Sequence, residues 1–286
     1  MVVKSYAKIN LGIEILGKRP DGYHELRTLF QSVGLYDVLD FTPVEGSAIR
    51  LFGDRDEIVW DRTNLIHRAA RLLQKESGKQ RGVHIRVNKR IPPGRGLGGG
   101  SSNAAVTLHV LNRLWNIGLP QNRLFELGAG LGADVPYFLE GGLCLGQGRG
   151  ESLSSLPDLK PFVCVLVWPN FPISTTRIYE AVILTSPPKE SNISGFLAGG
   201  DFSLLGNDLE KTVFRLYPQL KSIKSQLSDS EAVVSLVSGS GSTVFGVFSD
   251  REKAKKTRRG FDGENTALIV ETVSRGDYRK SLSNGV

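Results

Sequence analysis

Only two cysteines, Cys144 and Cys164, and one methionine occur in the 286 residues. Both cysteines stand in apolar surroundings, so they read as reduced core residues of a cytoplasmic protein and not as a disulfide or a metal-binding pair. No apolar run approaches the roughly 18 residues of a membrane helix. The longest clear one, Phe162-Val163-Cys164-Val165-Leu166-Val167-Trp168, reads as a buried strand. The N-terminal Met1-Val2-Val3-Lys4-Ser5-Tyr6 has neither signal-peptide nor transit-peptide character. Aromatics are not interleaved with basic residues, and no nucleic-acid motif is present. The net charge of +7 therefore points to an anionic small molecule, with neither nucleic acid nor membrane as partner. Part of that excess is one run, Arg251, Lys253, Lys255, Lys256, Arg258 and Arg259, which has the pattern of a solvated helix face. No internal repeat or low-complexity tract occurs.

The chain is long enough for a large core and for two domains. Residues 2 to 16 alternate as a strand that puts Lys8 and Asn10 on one face, and the Arg19-Pro20-Asp21-Gly22 turn leads to a second extended stretch near Leu26 to Val33. A helix capped by Asn64 runs to about Leu73, and Gly82 to Asn88 alternates like a strand. The Pro- and Ser-containing stretch from Ser152 to Pro161 marks the boundary, giving domains 1–155 and 156–286. The tail Ser281 to Val286 reads as frayed.

What the sequence has in excess is glycine, at one place above all. Pro92-Pro93-Gly94-Arg95-Gly96-Leu97-Gly98-Gly99-Gly100-Ser101-Ser102 precedes the helix-period run Asn103-Ala104-Ala105-Val106-Thr107-Leu108. Glycines let backbone N–H groups approach a ligand, and the following helix offers its unpaired N–H groups and positive dipole end, so a polyphosphate is the expected guest. Gly94, Gly96 and Gly99 satisfy G-x-G-x-x-G, but no second buried strand ending in an acid follows at dinucleotide spacing. A loop ending in Gly-Lys-Ser/Thr is absent, as are the His-Arg-Asp and Asp-Phe-Gly signatures of protein kinases.

This loop resembles the second motif of the GHMP kinase superfamily. Ala7-Lys8-Ile9-Asn10-Leu11 with Arg19-Pro20-Asp21-Gly22-Tyr23-His24 resembles the first motif of one branch, the 4-diphosphocytidyl-2-C-methyl-D-erythritol kinases. Val237-Ser238-Gly239-Ser240-Gly241-Ser242-Thr243 resembles the third motif, and Leu131-Gly132-Ala133-Asp134-Val135-Pro136 and Asn207-Asp208-Leu209-Glu210 agree in order. The resemblance implies an α+β, two-domain fold, a ribosomal-protein-like first domain with a left-handed βαβ element and a ferredoxin-like second domain, with the active site between them.

It further implies an ATP- and Mg2+-dependent small-molecule kinase that phosphorylates the 2-hydroxyl of 4-diphosphocytidyl-2-C-methyl-D-erythritol, acting as a monomer or weak homodimer. Residues Pro92 to Ser102 would hold ATP, and Lys8 and Asp134 would be catalytic. Tyr23, His24 and Tyr179 would form a cytosine pocket, with Asn10, Thr175, Gly239 and Gly241 around the acceptor. By position alone, Asp134 is equally a helix N-cap, Lys8 a snorkelling strand lysine, Tyr23-His24 turn residues and Tyr179 a helix-core residue. Arg95 replaces the small residue of many relatives, and either contacts phosphate or reaches solvent. Magnesium ligands are not evident beyond Ser101 or Ser102, and the adenine is expected near Asn64 and Lys89.

Overall fold

A computed structural model describes residues 1–183, 192–261, 263 and 265–284. Two long strands, β1 (Val2–Lys18) and β2 (His24–Val44), pair antiparallel from Val2↔Asp40 to Lys18↔His24. The sequence reading stopped β2 at Val33; the strand continues because its two halves serve different neighbours. Leu26 to Gln31 pair with β5 (Leu143–Gly148), and Val38 to Val44 pair with β4 (Gly82–Asn88). With β3 (Ile49–Gly53) parallel to β4, and β6 (Ser152–Ser155) beside β5, the sheet order is β3-β4-β2-β5-β6, with β1 on β2.

Helices α1 (Leu65–Ser77), α2 (Gly99–Leu114), α3 (Gln121–Leu131) and α4 (Val135–Glu140) cover one face of this sheet. The Asn64 side chain caps α1 by accepting from the Ile66 N–H, and Gly78 ends it in the left-handed conformation. Helix α2 is the axis of the layer. Ala104, Ala105, Val106, Leu108, Val110 and Leu111 are all fully buried, sharing one core with Phe41 and Ile85 of the sheet.

The second sheet has the order β10-β7-β9-β8, antiparallel throughout, from β7 (Val163–Pro169), β8 (Val234–Val237), β9 (Val244–Phe248) and β10 (Asn265–Glu271). Around it lie α5 (Thr175–Glu180), α6 (Asn192–Gly199), α7 (Glu210–Leu216), α8 (Pro218–Asp229) and α9 (Arg251–Arg259). The basic run is indeed helix α9, with Lys253 and Lys255 paired to Glu231 and Glu252 on its exposed side. Helix α10 (Arg275–Asn284) then returns to the first sheet. Tyr278 and Leu282 are buried in the first core, which corrects the expected fraying of Ser281 to Asn284; Gly285 and Val286 lie outside the described residues.

Strand β1 lies between the two halves. Ala7, Ile9 and Leu11 join a cluster with Leu166, Phe245 and Phe196 of the second sheet and its helices. Its Ile13 N–H donates to Gly206 O at 2.9 Å, and Ile13 O accepts from Asp208 N at 3.0 Å. A strand covered on both faces has no solvated side, so Lys8 and Asn10, each 3% exposed, must find partners within the protein.

Candidate active site

The ends of these elements enclose a cavity of about 980 Å³. Its lining takes in Ile58, Trp60, Asn64 and Leu65, then Lys89 and the glycine loop, and also Tyr23, His24 and Tyr179.

The loop connects β4 to α2. The left-handed Gly98 stands at the helix N-cap with no side chain bonding there, so the early N–H groups of α2 have no side-chain competitor for a ligand. A side chain at Gly98 would strike the Phe138 ring at 2.6 Å and the Lys8 stem at 3.3 Å, which explains glycine where the loop crosses the lysine. A Cβ at Gly96 would meet Ser238 O at 2.1 Å, so the first loop and the third-motif loop touch backbone to backbone. Pro92, Pro93, Gly94, Arg95, Gly96, Gly98, Gly99, Gly100 and Ser101 line the cavity. Leu97 and Ser102 do not. Leu97 is a core residue of the β1 cluster. The Ser102 hydroxyl is buried, donating to Tyr6 O at 2.7 Å and bonding Ser5 Oγ at 2.7 Å, so it is spent inside the protein and unavailable to a metal ion.

Lys8 Nζ lies 3.5 Å from Asp134 Oδ2, donates to Asn10 Oδ1, and sits 5.4 Å from the Phe30 ring. It therefore neither snorkels nor meets a solvated edge. Asp134 does occupy the N-cap position of α4, but its φ of −82° and ψ of −13° are helical and its side chain makes no capping bond. The carboxylate is turned to the lysine instead. Asn10 is oriented from both ends, because its Nδ2 donates to Thr28 Oγ1 at 2.8 Å while Thr28 donates to Gly12 O at 2.9 Å.

The His24 and Tyr179 rings are 5.6 Å apart at 33°, a contact between β2 and α5. Burial, with the nearby Lys18 charge, lowers the His24 pKa below its ordinary range and favours the neutral ring. Burial, and then the Asp134 charge, raises the Tyr179 hydroxyl well above the ordinary phenol range. Tyr23 is 56% exposed, with the Arg149 guanidinium 4.9 Å over its ring. Thr175 Oγ1 bonds Ser240 Oγ at 2.8 Å, joining α5 to the third-motif loop. Gly239 lines the cavity and its carbonyl accepts from Asn207 Nδ2 at 2.8 Å, whereas Gly241 stands away from the lining.

Arg95 lines the cavity and also reaches the second domain. Its Nη1 donates to the carbonyls of Pro169 and Phe171 and to Ser242 Oγ at 3.3 Å, so the guanidinium is engaged with the second domain. Trp60, Lys18, Thr28, Arg149 and Ser240 also line the site or fix its members and were not singled out from the sequence. Only the periodicity after Asn64 pointed toward the region of Trp60, and no local motif marks the others. Among the described residues no group of three or more His, Cys, Asp or Glu side chains is placed to hold a metal ion.

A glycine cradle beside a buried lysine and a carboxylate, set between a two-layer first domain and a four-stranded second sheet, defines a small-molecule kinase. Residues 64–142 match the GHMP kinases N terminal domain and residues 193–265 the GHMP kinases C terminal domain. The 4-diphosphocytidyl-2-C-methyl-D-erythritol kinase of Pelotomaculum thermopropionicum is 40% identical over 92% of this chain and 94% of its own. That of Prosthecochloris aestuarii is 44% identical over 88% of this chain and 91% of its own. A crystal structure of 4-(cytidine 5'-diphospho)-2C-methyl-D-erythritol kinase superposes with a TM-score of 0.82 at 36% identity, over 95% of this chain and 99% of that one. The chain belongs to the GHMP kinase superfamily and, within it, to the family of 4-diphosphocytidyl-2-C-methyl-D-erythritol kinases.

Proposed function

We infer that this enzyme transfers the γ-phosphoryl group of ATP to the 2-hydroxyl of 4-diphosphocytidyl-2-C-methyl-D-erythritol, a step of the methylerythritol phosphate route to isoprenoid precursors. The observation that carries the reading is the Lys8–Asp134 pair, held at 3.5 Å beside the glycine loop, in a chain whose relatives over nine-tenths of its length bear that name. We place the acceptor at the Tyr23, His24 and Tyr179 end, where aromatic faces stack on the cytosine ring and Asn10 and Thr175 flank the erythritol part. The adenine takes the apolar lining by Trp60 and Leu65, and the loop N–H groups between Gly98 and Ser101 take the phosphates.

Asp134 receives the proton of the attacking hydroxyl. Lys8 orients the hydroxyl and offsets charge developing on the transferred group. Asn10 fixes the lysine laterally, so little reorganisation accompanies the transfer. A magnesium ion brought with the nucleotide would neutralise its β- and γ-phosphates, and the Ser101 hydroxyl suits an ion that takes most of its oxygens from phosphate and water. We divide the chain into domains 1–155 and 156–286, the last helix of the second packing back on the first, and place the enzyme in the cytoplasm as a monomer or weak homodimer. The two buried free cysteines favour a reducing compartment, Cys144 being pushed up to about 11 by burial and so kept as a thiol.

A coupled ADP-release assay with ATP, Mg2+ and the cytidylyl compound, mevalonate, homoserine or galactose tests the reading. Release with the cytidylyl compound alone is expected. Release with a different alcohol would keep the kinase and discard the pocket.

A further inference from the structure

The glycine loop is tied to the second domain at consecutive residues. Gly94 O accepts from Ile173 N at 3.2 Å, Arg95 O from Thr243 N at 3.2 Å, and Gly96 O from Ser238 Oγ at 2.9 Å. The Arg95 side chain extends the same way, to the carbonyls of Pro169 and Phe171. Ser242 Oγ, 3.3 Å from Nη1, donates to Phe171 O at 2.9 Å and completes the group. Those carbonyls belong to the connector that leaves β7 at Pro169 and reaches Ser174, whose side chain caps α5 by accepting from the Arg177 N–H. Helix α5 carries Thr175 and Tyr179. It has six residues and one fully buried side chain, Ile178, so its own packing holds it weakly and its place depends on how the connector enters it. A guanidinium suits this task, because it stays charged, presents several N–H groups in a fixed plane and makes charge-assisted bonds to carbonyls.

We propose that Arg95, although it stands in the loop that holds the phosphates, is a positioning residue for the acceptor side, fixing the connector from Pro169 to Ser174 and through it the places of Thr175 and Tyr179. The proposal rests on the assignment of the acceptor to the Tyr179 end. Loss of the guanidinium takes one donor from each of the two carbonyls, leaving Phe171 O only its bond from Ser242, and lets α5 wander, while the bonds to the Gly94, Arg95 and Gly96 carbonyls still hold the loop in place for ATP.

The test is a pair of steady-state titrations on wild type, Arg95→Ala, Arg95→Lys and Ser242→Ala, with amide exchange of residues 170–180 measured on each unliganded protein. Arg95→Ala is expected to raise the acceptor KM about tenfold, the loss of roughly one charge-assisted bond, while the ATP KM moves by less than about twofold. Arg95→Lys should recover part of the loss, and Ser242→Ala should move the acceptor KM the same way by about two- to threefold. Exchange in residues 170–180 should be faster in Arg95→Ala. A rise in the ATP KM alone, an equal rise in both KM values, or no change in either would overturn the proposal, whatever happens to Tm. If wild type does not phosphorylate the cytidylyl acceptor, the functional assignment fails on its own. Unchanged exchange in Arg95→Ala would then overturn the positional claim separately.

Discussion

Two lysine–carboxylate pairs stand at the cavity, one of them with its carboxylate buried behind the wall, and they are built in opposite ways. Asp37 is fully buried and saturated: Oδ1 accepts from the N–H groups of Arg90 and Ile91 at 2.8 Å each, and Oδ2 accepts from Lys89 Nζ and, at 2.9 Å, from Asn103 Nδ2. It thereby clamps both feet of the glycine loop, the end of β4 and the first turns of α2. The Asp134 side chain is 34% exposed, stands 3.5 Å from its lysine and, among the described residues, accepts no hydrogen bond from the protein. A carboxylate whose lone pairs are all taken cannot receive a proton from a substrate; one left open can. On the proposed mechanism the same two residue types thus serve as rivet in one place and reagent in the other, and the number of partners separates the roles.

That contrast breaks if Asp134→Asn leaves turnover intact. The expected result is a fall in kcat of about 10²- to 10⁴-fold with Tm nearly unchanged, read by ADP release and thermal unfolding. Asp37→Ala should do the reverse. Leaving Lys89 buried without its counter-charge costs about 3–5 kcal/mol of stability, a Tm fall on the order of 10 °C, and a variant that instead kept its Tm while losing turnover would erase the distinction. A smaller effect sharpens the acceptor end: Tyr23→Ala, at an exposed ring, should raise the acceptor KM about 5- to 150-fold with no change in Tm, and an unmoved KM would remove Tyr23 from the pocket.

The smallest effect concerns pH. The folded-state pKa of His24 lies below its unfolded value, so between the two the unfolded chain binds more protons and stability falls as pH drops through that window. Urea midpoints of wild type should therefore decline more from pH 7 to pH 5 than those of His24→Gln. Parallel declines would show that His24 does not titrate this way.

Much of this arrangement was legible in the sequence. The strand with Lys8 and Asn10, the capped helix at Asn64 and the glycine loop opening α2 follow from local pattern and composition, because each is fixed by neighbours in the chain. The α+β class and the reaction came from motif resemblance. Pairings across the fold were not legible. Asp37 and Lys89 are 52 positions apart, and a charge in a strand ordinarily marks a solvated face. The course of the Arg95 side chain depends on a connector more than 70 positions downstream, 74 to Pro169 and 76 to Phe171, and no periodicity encodes that. Helix α10 was misread because Ser281, Ser283, Asn284 and Gly285 look like a terminus, while the informative residues, Tyr278 and Leu282, find their partners in the first domain.

Helix α10 also sets an order on assembly during synthesis. Tyr278 Oη donates to Phe138 O across 140 positions of chain, and Arg275 and Arg279 pair with Glu140 on the same helix α4. When the first sheet and α1 to α4 have left the ribosome, this part of their core is still open, and it waits uncovered while the whole second sheet is translated. The nascent first half thus keeps this surface exposed until its last helix arrives, and Asp134, the proposed proton acceptor before α4, acquires its final support only then.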